Sequence, residues 1–174
     1  METNDGKYTE AQHIENSAGW MLYDAPYKCA KHIARNIIGE TALDVGGSQG
    51  IMARIVEAVT LNRVKVAVTE ESLKDVPDNH YDTVYTSHVL EHVHKLYDII
   101  KETNRIANYC SIHVVPQGDV EALNTGTPHV HTFNRISLIE CIKAALGREV
   151  RVKLSFIPDE HMNSLMIIIW KDRR

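Results

Sequence analysis

Cysteine is scarce in this chain and badly placed for cross-linking. There are 3, at Cys29, Cys110 and Cys141, far apart and with no C-x-x-C pair. An odd, dispersed set supplies neither a disulfide framework nor a zinc knuckle, and fits a reducing compartment. Long apolar runs are also missing. The longest, LMIIIW at 165–170, falls far short of the roughly 20 residues that span a bilayer. The opening METNDGKYTE lacks the apolar core of a secretory signal. No lysine or arginine block stands out, and the formal net charge is −4. Nucleic acid is therefore not the expected partner, and with no spanning run no membrane is expected either. Repeats and low-complexity linkers are absent too. What remains is the expectation of one cytoplasmic domain spanning 1–174.

Glycine, by contrast, is concentrated. Of 9 glycines, Gly46, Gly47 and Gly50 crowd one turn in ALDVGGSQGI. The flanking pattern alternates between strand and helix. Ala30, Ile33, Ala34, Ile37 and Ile38 recur at helical spacing from Tyr27, with Pro26 at the start and Gly39 at the stop. TALDV reads as a buried strand, and Ile51, Ile55 and Val59 mark a second helix. RVKVAV and YDTVYTS are strand candidates, followed by a helix carrying Val93, Leu96, Tyr97, Ile100 and Ala107. CSIHVV is a strand ending at Pro116, and 117–133 is a long loop. Asn134 caps a helix that Gly147 ends. Val150, Val152, Leu154 and Phe156 alternate, and SLMIIIW closes as a buried strand. This order predicts an α/β fold: a mainly parallel sheet of about six strands with helices on both faces.

In such sheets ligands bind beyond the carboxyl ends of the strands, where the strand order reverses. The glycine turn sits there. Glycine admits positive φ and leaves no Cβ in a ligand's way, and the next helix offers free N–H groups. The spacing D-x-G-x-S-x-G departs from the dinucleotide fingerprint G-x-G-x-x-G.

YDTVYTSHVLEHV at 81–93 resembles the FD-x-V-x-x-x-x-V-L-E-H-V run of class I S-adenosylmethionine-dependent methyltransferases. LDVGGSQG resembles their first motif, L-D-x-G-C-G-x-G; KETNRIA and HTFNRISLIECIKAALG are similar to later segments of the family. The resemblance runs from about Ala42 to Trp170. It implies a three-layer Rossmann-like core over 41–174, preceded by an N-terminal helical lid region over 1–40 that contains Tyr8, Trp20, Tyr23 and Tyr27. Two departures stand out. Ser48 takes a usual glycine position. The stretch between the first motif and Asp82 has room for a single strand, so one βα unit is missing and Thr69–Tyr81 is expected to lack a full helix.

The resemblance further implies S-adenosyl-L-methionine as cofactor. Asp44 would orient the loop and the amino-acid end; Gly46, Gly47, Ser48 and Gly50 would line the methionine and ribose. Two ribose hydroxyls call for a carboxylate after the second strand, which points to Glu70, with Glu71 in reserve. Ser87 and His88 fall near the methionine end. His131, at the end of the long loop, is the candidate catalytic base for a small polar acceptor, and a histidine serving only the loop is the competing reading. No metal site is expected. The pairs His92/His94 and His129/His131 lack H-x-x-x-H spacing and a cysteine partner set. Two other functions stay open: a non-catalytic, cofactor-binding or partner protein with a trimmed fold, and a nucleotide-dependent oxidoreductase, which the glycine spacing disfavours.

Overall fold

The computed structural model describes residues 25–47, 50–69, 73–118, 129–147, 149–160 and 162–171. Its elements, in order, are α1 (Ala25–Asn36), β1 (Thr41–Val45), α2 (Ile51–Val59), β2 (Lys65–Thr69), β3 (Tyr81–Ser87), α3 (Leu96–Ile106), β4 (Ala107–Pro116), α4 (Arg135–Leu146), β5 (Arg151–Ile157) and β6 (Ser164–Trp170). Six strands form one sheet in the order β2-β1-β3-β4-β6-β5. β2, β1, β3 and β4 run parallel. β6 is antiparallel to both its neighbours. The expected mainly parallel, six-stranded sheet is what forms, with one reversed strand near its edge.

Burial explains the strand patterns. β6 is apolar on both faces because it is covered on both. Its Met166 and Ile168 join Cys29, Ile33, Met52, Val56, Tyr85 and Ile112 under α1 and α2. Its Leu165, Ile167 and Ile169 join Leu90, Ile100, Leu138 and Ile142 under α3 and α4. β5 lies at the sheet edge, and its Val152 and Leu154 pack on that second cluster, which accounts for its alternation. Cys29 and Cys110 are buried and Cys141 is half-buried, all as free thiols.

Boundaries shift by a few residues. α1 begins at Ala25 and stops at Asn36, while Gly39 takes φ +88° two residues before β1. Val93 precedes α3 in a turn instead of opening the helix. β4 starts at Ala107, because α3 passes into the strand with no intervening loop. Asn134 caps α4 as expected. Its side chain accepts from the N–H groups of Ile136 and Ser137, and the Ser137 hydroxyl accepts from Asn134 N–H. Between β2 and β3 the described residues hold one short 3-10 turn, Leu73–Asp75, in place of a full helix. Leu73 anchors it among Leu43, Val45, Val84 and Ile106.

β1 lies between β2 and β3, so the chain leaves β1 in one direction and returns on the other side. The switch point is therefore at β1, and the glycine turn follows it directly.

Candidate functional site

Asp44 is the last-but-one residue of β1, paired with Val68 on one side and Tyr85 on the other. It is only 1% exposed. Burial lifts its carboxyl from the ordinary 3.8 to about 7, an effect partly offset by the Tyr85 hydroxyl and the Ala53 N–H. One oxygen, Oδ2, makes no hydrogen bond among the described residues. Burial and the facing Asp44 push Tyr85 far up, so its phenol stays protonated.

The turn wraps this acid. A Cβ at Gly47 would fall 2.6 Å from both Cγ and Oδ2 of Asp44. No side chain fits between that backbone and the carboxyl. Gly46 adopts φ +77°, and a Cβ there would meet Val89 Cγ2 at 2.8 Å. Its N–H donates to the Thr69 carbonyl at 2.8 Å, tying the ends of β1 and β2 together. Gly50, at φ +71°, forms the N-cap of α2 and brings no side-chain acceptor to the helix start. The first N–H groups of α2 therefore receive no side-chain cap from Gly50. Ser48, Glu70 and Glu71 lie outside the described residues.

The loop after β3 closes the other side. His88 takes φ +55°, and its N–H donates to Val114. Its ring is buried beside Cys29 Sγ at 3.8 Å, Ser164 Oγ at 3.3 Å and Glu91 Oε1 at 3.3 Å. Burial alone would lower its pKa, but Cys29 and Glu91 raise it to about 9. The imidazole therefore faces inward, and backbone is what His88 offers the glycine turn. The Ser87 hydroxyl is buried and makes no hydrogen bond among the described residues.

His131 sits on the segment that returns to this loop. Its N–H and that of Val130 both donate to the Glu91 carbonyl, at 3.1 and 2.7 Å. Its ring Nε2 lies 3.0 Å from the Val93 carbonyl. A carbonyl only accepts, so Nε2 carries the proton and Nδ1 is left as the basic nitrogen. The same two backbone hydrogen bonds bring His129 to Glu91 and His92, a grouping that spacing along the chain does not reveal. Of the predicted lid aromatics, Tyr8, Trp20 and Tyr23 lie outside the described residues. Tyr27 is half-exposed under the Lys31 ammonium.

Asp44, Gly46, Gly47, Gly50, Ser87 and the His88 backbone thus converge at the carboxyl end of β1 and β3. A methyltransferase-domain model matches residues 30–109, which carry all six of these residues. A SAM-dependent methyltransferase from Aquifex aeolicus superposes with a TM-score of 0.69 at 14% identity, covering 94% of this chain and 99% of that one. This chain has the class I methyltransferase fold. A second such structure, from Thermotoga maritima and described as a possible histamine N-methyltransferase, gives a TM-score of 0.64 at 13% identity over 91% and 96% of the two chains. Phosphoethanolamine N-methyltransferase 2 of Haemonchus contortus, solved with S-adenosyl-L-methionine, gives 0.53 at 12% identity over 78% and 49%. A search of curated proteins finds no match. Among the described residues, no helix is long and apolar enough to cross a membrane.

Proposed function

We propose that this chain is an S-adenosyl-L-methionine-dependent methyltransferase acting on a small polar acceptor. The observation that carries the reading is the buried acceptor oxygen of Asp44, without a partner among the described residues and held against glycine backbone at the switch point of a methyltransferase fold. A buried polar atom without a partner is costly, and a ligand that donates to it removes the cost. The cofactor carries an ammonium group, a carboxylate and two ribose hydroxyls. Asp44 suits the ammonium, the uncapped start of α2 suits the carboxylate, and Glu70 or Glu71 suits the ribose. Gly46, Gly47 and Gly50 let the backbone approach, Ser48 would line the methionine and ribose with them, and Ser87 with the His88 backbone faces the methionine end.

When bound, the cofactor supplies an electrophilic methyl group on a sulfonium. The chain then has to align an acceptor lone pair with that group and keep water away. His131 is the proposed base. Its Nδ1 takes the acceptor's proton while the Val93 carbonyl fixes the ring. Free thiols at Cys29, Cys110 and Cys141 support a reducing, cytoplasmic setting.

The test is transfer of a labelled methyl group from S-adenosyl-L-methionine to a panel of small hydroxyl and amine acceptors. Turnover that is lost in Asp44→Ala supports the reading. Saturable cofactor binding with no transfer to any acceptor class would favour the non-catalytic alternative.

A further inference from the structure

We propose that Glu91, His92 and His129 form a binding site for a divalent first-row transition cation. Each contributes a ligand atom, and these atoms all lie within 4.8 Å of one another. Ligands at about 2.1 Å from a shared ion lie at most about 4.2 Å apart, so small side-chain rotations complete the set.

The carboxylate is the independent pointer. Glu91 is 1% exposed, and among the described residues neither of its oxygens finds a hydrogen-bond partner. The imidazole of His88 approaches only Oε1, at 3.3 Å. Oε2 is left without a donor among the described residues. His129 Nδ1 is likewise buried with no hydrogen-bond partner. Surface acids carry no such signal, because solvent satisfies them. His88 meets Oε1, and a buried carboxylate that also faces two further imidazoles, with Oε2 short of a donor, is suited to a cation.

The surroundings suit a metal in three ways. Val130 and His131 clamp the Glu91 carbonyl, which fixes His129 opposite the carboxylate. His88 contacts the far side of Glu91 and orients it, as groups behind metal ligands do. The rings of His92 and His129 meet edge to face, with centroids 4.9 Å apart, and His92 is a quarter exposed, so the site opens to solvent through its imidazoles.

Two imidazole nitrogens and one carboxylate select zinc, cobalt, nickel, iron or manganese over calcium and magnesium, which prefer all-oxygen sets. Three protein ligands leave at least one position for water or another oxygen donor. The spacing rules applied to the sequence missed this group because its third member arrives from a distant segment.

The test uses the full chain, stripped with chelator and titrated with Co2+ in the absence of any methyl donor. Visible d–d absorption should saturate at a single equivalent, and Zn2+ should displace it. Glu91→Gln and His129→Ala should each weaken uptake by about tenfold or more. His92→Ala, altering a partly exposed ring, keeps the test decisive if Glu91→Gln fails to fold. His80→Ala, remote from the site, should bind like wild type. Absence of saturable uptake, unchanged uptake in both His92→Ala and His129→Ala, or equal competition by Mg2+ would overturn the site. Cofactor affinity, measured separately, does not enter this result.

Discussion

The two ends of the parallel strands are built differently. At the amino end stands Asp82, at the start of β3. It accepts from Glu40 N–H at 2.9 Å, from Thr41 N–H at 3.1 Å and from the Thr41 hydroxyl at 3.0 Å. Burial by itself would raise its pKa, but these bonds hold it below the ordinary carboxylate value. Nearby, Arg105 donates to the carbonyls of Leu73 and Val76 and pairs with Asp78 and Glu102. At the carboxyl end stands Asp44, more deeply buried, with one empty oxygen and a carboxyl lifted to about 7. Glu91 and His129 beside that end are also short of partners. Nearly the same chemistry is finished at one end and left open at the other. The polar groups of Asp82 and Arg105 are satisfied within the chain, although Asn104 Oδ1 and His113 Nε2 elsewhere are buried without a partner among the described residues. Groups that meet a ligand are held ready and unsatisfied, at a cost the rest of the fold absorbs.

That contrast can be broken most strongly at the glycine turn. Gly46→Val places a branched side chain at φ +77° against Val89. Cofactor affinity should fall by at least about a hundredfold, and strain of about 1–3 kcal/mol should lower thermal stability as well. Calorimetry paired with thermal melts reads both. Because the turn itself is damaged, this variant tests the turn and not one contact.

Asp82→Ala should do the opposite. Removing the shared acceptor strands the Glu40 and Thr41 donors and should cost about 1.5–3 kcal/mol in denaturant unfolding. Cofactor affinity of the folded fraction should stay within about twofold, since Asp82 lies at the far end of the strands. An equal loss of affinity would show that the ends are not separable.

Glu70→Ala is a narrower test. Loss of charge-assisted bonds to the ribose should weaken binding by about ten- to a hundredfold with folding nearly unchanged. If Glu71→Ala carries the loss instead, the register after β2 is shifted by one.

The smallest effect is a pH slope. Asp44 ionises near 3.8 in the unfolded chain and near 7 in the folded one. Between those values the folded chain binds the extra proton, so this group's contribution to stability falls as pH rises from about 4 to about 7 and is level above that. Asp44→Asn should remove this fall. Relative to wild type, the variant should therefore gain stability between pH 4 and pH 8, as read by unfolding at each pH.

Much of the fold was legible because each strand's burial writes itself into its pattern. LMIIIW is apolar throughout because β6 is covered on both faces, and the β5 alternation marks an edge. The glycine turn was legible for the same local reason, since positive φ at 46 and 50 requires glycine. What spacing could not show depends on contacts across the chain. Val93 looked helical by period but falls in the turn whose carbonyl holds His131. His88 looked like a ligand contact, yet its ring points to Cys29, Ser164 and Glu91. His129 joins Glu91 and His92 only because backbone hydrogen bonds at 130 and 131 bring the segments together.

The central claim is that the open carboxyl end, with Asp44 at its heart, receives S-adenosyl-L-methionine. Isothermal titration of that cofactor, and of NAD, into wild type and Asp44→Ala tests it most directly. The account predicts saturable binding of S-adenosyl-L-methionine to wild type, at least tenfold weaker binding to Asp44→Ala, and no binding of NAD. Equal affinity in a folded Asp44→Ala, or binding of NAD in preference, would contradict it.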